Sequence, residues 1–210
     1  MRQLLTFALI LFPGLLPAQS NSRKLELVRK RFISDVIAVT NDTADKSLRI
    51  ASYLFNSKEF QDSILKLKFP FANHCADCDN NSDNTNAVIA GKEILDSVFR
   101  QKTIYLILRL LPVGKPPLSF FGKKKCWGLG NTCPNTDSIT SFYKNIDCDM
   151  GDDLPFSYAY AVHLCHEYLH DVGYCHTDND IVDDIAEAVG WIAFYYINKW
   201  YHEGTINLSK

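Results

Sequence analysis

Residues 166–176 read HEYLHDVGYCH, and no other stretch restricts the fold of this chain as strongly. His166, Glu167, His170 and His176 follow one another at offsets of one, three and six, with Gly173 between the last two histidines. Residues four apart on an α-helix lie one turn above each other on one face. His166 and His170 can therefore aim two ring nitrogens at a single point. Zinc binds neutral imidazole at about 2.0 Å and prefers a tetrahedron in which catalytic sites leave one position to water. Glu167, beside the first ligand, is placed to take a proton from that water and pass it to a leaving nitrogen. A left-handed glycine ends a helix at low conformational cost. Gly173 thus turns the chain so that His176 becomes the third ligand. A chance H-E-x-x-H has a probability on the order of one in a hundred in a chain of this composition, and the added Gly and His bring it to on the order of one in 10⁵. The expected cofactor is Zn2+, with Glu167 as the catalytic base.

The same segment resembles the zinc signature of the metzincin metallopeptidases, the group that includes astacins, matrixins and adamalysins. The resemblance is confined to residues 166–176. It implies a zinc held by His166, His170 and His176, with Glu167 as general base, in a cleft beneath an edge strand that pairs with extended peptide. CWGLG (126–130) or SITSFY (138–143) would be that strand, because both precede the active-site helix. One departure stands out. Metzincins carry a methionine in a tight turn after the third histidine, whereas Met1 and Met150 both lie upstream of it here. The segment IAEAVGW (185–191) in turn resembles the Glu-bearing helix of thermolysin-like gluzincins. That makes Glu187 a rival third ligand, but leaves the offsets of Gly173 and His176 unexplained. Asp180, past the turn, is a weaker rival. His163 reads as structural or cleft-lining, and His74 and His202 as unrelated to the cluster.

The N-terminus, MRQLLTFALILFPGLLPAQS, has one cation, a short apolar run and small residues near Ala18 and Ser20, the pattern of a secretory leader over residues 1–20. A membrane anchor would need about 20 apolar residues, and Pro13, Gly14 and Pro17 interrupt this run. The rest, 21–210, has the size of a single domain with a sizeable core. Composition is that of a globular chain, with 47% hydrophobic and 22% charged residues. The formal charge of −2 becomes about −3 once Arg2 leaves with the leader, so nothing draws the chain to nucleic acid or an anionic membrane. The expected partner is a peptide or protein substrate, with no stable membrane association. The chain has seven cysteines, at positions 75, 78, 126, 133, 148, 165 and 175. In an exported protein such residues pair, and one must be left over. Cys165 and Cys175 flank the ligands and read as disulfides that fix the turn, with Cys148 as a candidate partner. The loop from Asp77 imitates the opening of an EF-hand, but Ser82 and Val88 stand where its Gly and Glu belong, so that reading fails.

Periodicity and capping signals place helices over TADKSLRIASYLF (43–55, Thr43 as N-cap), SKEFQDSILKLKF (57–69, Ser57 as N-cap) and NAVIAGKEILDSVF (86–99). TIYLILRLL (103–111), CWGLG and SITSFY read as strands. The active-site helix starts from Asp153 and Pro155 and runs to Gly173, and a last core helix begins near Asp180. These elements predict an α+β fold with a short mixed sheet, an active-site helix and a C-terminal helix, which the resemblance implies is of metzincin-like zincin design. The expected activity is that of an exported zinc metalloendopeptidase. Its alternative is a zinc-binding, proteolytically inactive secreted interaction module.

Overall fold

The computed structural model describes residues 24–72, 75, 78, 86–113, 128–176, 184–206 and 208. The proposed leader, His74, Asp180 and most of the Asp77 loop lie outside them. The elements are β1 (Glu26–Ser34), α1 (Asn41–Asn56), α2 (Lys58–Leu65), β2 (Lys68–Ala72), β3 (Asn86–Ala90), α3 (Gly91–Val98), β4 (Thr103–Leu111), β5 (Gly130–Thr132), β6 (Ser138–Phe142), α4 (Tyr143–Met150), α5 (Phe156–Val172) and α6 (Ile185–Glu203). They form the expected α+β fold, with a mixed four-stranded sheet in the order β1-β4-β6-β5 and a separate β2-β3 pair.

Strand β4 organises the sheet. Its alternation buries Ile104, Leu106, Leu108 and Leu110 on one face and leaves Tyr105 and Arg109 on the other, so the core lies on one side. β1 and β6 run parallel to β4, and β5 runs antiparallel to β6 at the edge. SITSFY therefore supplies an interior strand, and the edge strand is GNT, which overlaps CWGLG only at Gly130. β1 escapes periodicity analysis because it is an edge strand carrying Arg29, Lys30 and Arg31, charges that edges tolerate. Asp45 on α1 receives two bonds from Arg29, Nε at 2.7 Å and Nη2 at 3.0 Å.

Several helix boundaries differ from the sequence expectation: the helix expected over 57–69 ends at Leu65 because Lys68 and Phe69 pair in β2, and the last helix starts at Ile185 rather than near Asp180. The first helix is capped by Thr40, not Thr43, whose own N–H is what that side chain caps; Ser57 caps α2 as expected. Residues 86–90 are strand β3, because they pair with β2 and the helix can begin only at Gly91. There the backbone presses so closely on the Ile64 carbonyl that no Cβ fits. Helix α5 starts after Pro155 without a side-chain cap, and Asp153 instead bonds through its N–H to the Met150 carbonyl. Proline disfavours helical backbone at the residue before it, which moves the start past Asp153. Helix α4, absent from the sequence reading, has no capping signal; it is held by buried Ile146 and Met150 and by Asn145, whose amide donates to the Gly128 carbonyl at 2.9 Å.

Helix α5 is apolar almost all round, as befits a helix between sheet and helices. Tyr160, Leu164, Tyr168 and Leu169 are fully buried, and the Tyr168 hydroxyl donates to the Val98 carbonyl at 2.9 Å. At its end Gly173 takes φ 110°, with Gly173 N–H bonding His170 O and Tyr174 N–H bonding Leu169 O, a Schellman closure. Helix α6 packs against α5, and a Cβ on Gly190 would lie 3.4 Å from His166 Nδ1. No helix of the described residues is long and apolar enough to cross a membrane.

Among the described cysteines, Cys75 pairs with Cys175 and Cys78 with Cys133, and Cys148 is also disulfide-bonded. These bridges point to an oxidising, extracellular type of environment. The free thiol among the described cysteines is Cys165, which was expected to be bridged. Its place is a fully buried position on α5, where a small hydrophobe packs well and burial pushes the thiol pKa up.

Candidate metal centre

Helix α5 and its Schellman turn bring His166, His170 and His176 together, and their ligating nitrogens lie within 4.8 Å of one another. His170 Nε2 is 3.1 Å from His166 Nε2 and 3.1 Å from His176 Nε2. Two nitrogens bound at about 2.0–2.1 Å in a tetrahedron stand about 3.3–3.4 Å apart, so two of the three pairs are already near ligand spacing and the third, His166 to His176, lies within 4.8 Å.

Their outer hydrogen bonds decide which nitrogen is free. His170 Nδ1 is 2.7 Å from the Tyr174 carbonyl, and a carbonyl only accepts. Nδ1 therefore carries the hydrogen, and Nε2 presents a lone pair inward. His176 Nδ1 likewise donates to Asp184 Oδ2 at 2.8 Å. The backbone of Ala186 holds His166 by a hydrogen bond that favours its protonated ring, as a carbonyl acceptor does. In the neutral state, inward lone pairs on His170 and His176 face each other with no hydrogen between them. Such an array repels itself unless a cation or proton occupies the centre. Metal-bound histidines in general donate their second ring N–H to a carbonyl or carboxylate. The observed donor set fits that pattern, and three imidazoles suit zinc, copper, nickel or ferrous iron.

Burial keeps His166 and His170 neutral, as ligation requires. His170 is held down to about 4, by desolvation and then by His176, and His166 lies well below its ordinary value for the same first cause. His176, half exposed, is shifted upward by its bond to Asp184. Asp184 is pushed up by burial, but its bonds to His176 and to the Glu187 N–H prevail and leave it below the ordinary carboxylate range. The same carboxylate caps α6, with Oδ1 accepting from Glu187 N at 3.0 Å. One side chain thus joins the start of α6 to the outer edge of the His cluster.

Glu167 is only 3% exposed, and desolvation raises its pKa to about 7, offset by the nearby Thr132 side chain and His176. Its Oε1 lies 3.6 Å from His163 Nδ1, and its Oε2 is buried without a hydrogen-bond partner. Thr132, at the end of edge strand β5, turns its buried hydroxyl to Glu167 without a hydrogen bond of normal geometry. The turn after β5 is clasped by Asp171, whose Oδ1 accepts from the N–H groups of Thr136 and Asp137 at 3.1 and 2.8 Å. This turn uses positive φ at Asn135 and Asp137, residue types that tolerate it.

Glu187 is an exposed residue in the first turn of α6 and is not part of the His group. His202 is exposed at the far end of that helix. Sequence reading missed Asp184, Tyr174 and Thr132 as parts of this centre. The spacing of Asp184 before Glu187 was a capping signal that could have marked the first. A carbonyl acceptor such as that of Tyr174 leaves no trace in residue type. Comparison of the chain with protein-family models, with curated proteins and with solved structures returned no match.

Proposed function

We propose that this chain is an exported zinc-dependent metalloendopeptidase of metzincin-like design, lacking the methionine turn. The observation that carries the reading is the convergence of three imidazole rings beside a buried carboxylate whose Oε2 makes no hydrogen bond of normal geometry. Burying such an acceptor costs about 1–3 kcal/mol, which a purely structural site would avoid. Zinc among the three rings would supply a Lewis acid that polarises a peptide carbonyl and acidifies water. His166, His170 and His176 would hold it, with Asp184 and the Tyr174 carbonyl keeping the ring hydrogens outward. Glu167 would take the proton from the attacking water and return it to the leaving nitrogen, a task suited to a carboxyl titrating near neutrality. Edge strand β5 offers backbone groups to an extended peptide, a mode in which main-chain bonds give affinity.

The test is direct. Purified wild type should carry close to one zinc per chain and cleave members of a peptide library, and Glu167→Gln should keep the zinc and lose the cleavage. Wild-type turnover in Glu167→Gln would refute the mechanism. One zinc per chain with no cleavage of any peptide would favour the non-proteolytic module instead.

A further inference from the structure

Behind Glu167 the core holds a run of polar groups that the proposed chemistry does not use. His163, one turn earlier on α5, is 1% exposed, and Ser141 on β6 is fully buried. Ser141 Oγ is 3.0 Å from His163 Nε2, and His163 Nδ1 is 3.6 Å from Glu167 Oε1. Tyr160 stacks near the imidazole, ring centroids 6.3 Å apart, with its buried hydroxyl beside Ser141. Edge strand β5 gives up a side chain to make room. A Cβ on Gly130 would stand 2.6 Å from His163 Nε2 and 2.7 Å from Cε1, and Gly130 is the register partner of Ser141.

An apolar residue in place of His163 would fill this volume without the cost of desolvating a ring, and such burial of polar groups costs a few kcal/mol unless they are bonded. The contacts give the histidine a directional role. Set against an ionised carboxylate, which only accepts, Nδ1 would carry the hydrogen and Nε2 would accept from the Ser141 hydroxyl. We infer that His163 is a positioning residue for Glu167: anchored to β6 through Ser141, it turns Nδ1–H toward Oε1 and so leaves Oε2 as the carboxylate oxygen that exchanges the proton. The inference rests on the reading of Glu167 as general base. A separation of 3.6 Å is long for a hydrogen bond, but catalytic contacts of this kind tighten when the reacting groups are bound.

Two isosteric substitutions separate the two ring nitrogens. The amide nitrogen of Asn reaches roughly where Nδ1 stands, and that of Gln roughly where Nε2 stands. With zinc-loaded protein and a fluorogenic peptide drawn from the cleaved library members, His163→Gln should lower kcat roughly ten- to a hundredfold, the range for a misplaced reacting group. KM and zinc affinity should stay at the wild-type values. His163→Asn should recover most of the lost kcat. A second readout needs no turnover: the ring nitrogen shifts of ¹⁵N-histidine-labelled wild type should show His163 as the Nδ1–H tautomer. The Nε2–H tautomer would overturn the inference, as would wild-type kcat in His163→Gln or equal losses in both variants. If wild type cleaves nothing, or Glu167→Gln cleaves as wild type does, the peptidase reading fails and takes the inference with it. An active wild type, a dead Glu167→Gln and an unaffected His163→Gln remove the inference alone.

Discussion

Replacing Asp184 by Asn probes the metal centre without touching a ligand. The carboxylate uses both oxygens, Oδ1 for the Glu187 N–H at 3.0 Å and Oδ2 for His176 Nδ1 at 2.8 Å. An amide has one acceptor oxygen, so Asn can serve only one of these donors and turns an N–H toward the other. Asn and Asp are about equal as N-caps, so the start of α6 should lose little if the cap is the bond retained. The bond to His176 is charge-assisted, and hydrogen bonds to charged groups contribute about 1.5–3 kcal/mol. Loss of the outer partner of a metal-binding histidine lowers metal affinity about 10- to 100-fold, which is about 1.4–2.8 kcal/mol, and the two routes agree. Competition with a zinc chelator at neutral pH should therefore show affinity reduced by one to two decades, while the melting temperature of the metal-free protein moves only slightly. Asp184→Ala should show the same loss of affinity plus about 1 kcal/mol of apo-protein stability from the missing cap. Zinc affinity within twofold of wild type in Asp184→Asn would refute the argument that this carboxylate sets the ring orientation of His176.

Further outcomes follow from the same contacts. Gly130→Ala should destabilise the fold by at least the about 1–3 kcal/mol typical of overpacking, seen as a lower urea midpoint, because the added methyl meets both the Thr140 carbonyl and the His163 ring. Replacing Cys75 and Cys175 together by Ser should cost about 2–4 kcal/mol of stability, and zinc affinity should fall with it because Cys175 adjoins His176. For pH, burial holds His163 down to about 3 in the folded state, against 6.5 in the unfolded chain. Between those values the unfolded chain binds more protons, so stability should fall as pH drops from about 6.5 toward 3 and level off below it, by a few kcal/mol at most. Urea unfolding of metal-free wild type and His163→Asn across that range should show a shallower pH dependence in the variant; parallel curves would refute a buried neutral His163.

Some of this architecture can be read directly from residue order. The alternation of residues 103–111 specifies β4, Gly173 specifies where α5 stops, and the offsets of His166, His170 and His176 specify that three rings can meet. Each of these depends on backbone geometry within a turn or two, which is why local pattern suffices. The Cys75–Cys175 and Cys78–Cys133 pairings, the solitary Cys165, edge strand β5 and charged strand β1 depend instead on which distant segments meet. So does the chemistry of the site. Residue types name imidazoles and a carboxylate, but burial raises Glu167, and the Tyr174 carbonyl and Asp184 choose which nitrogens face inward. Dielectric and hydrogen-bond partners are properties of the packed environment, so only the tertiary structure turned a spacing of histidines into three converging imidazole rings.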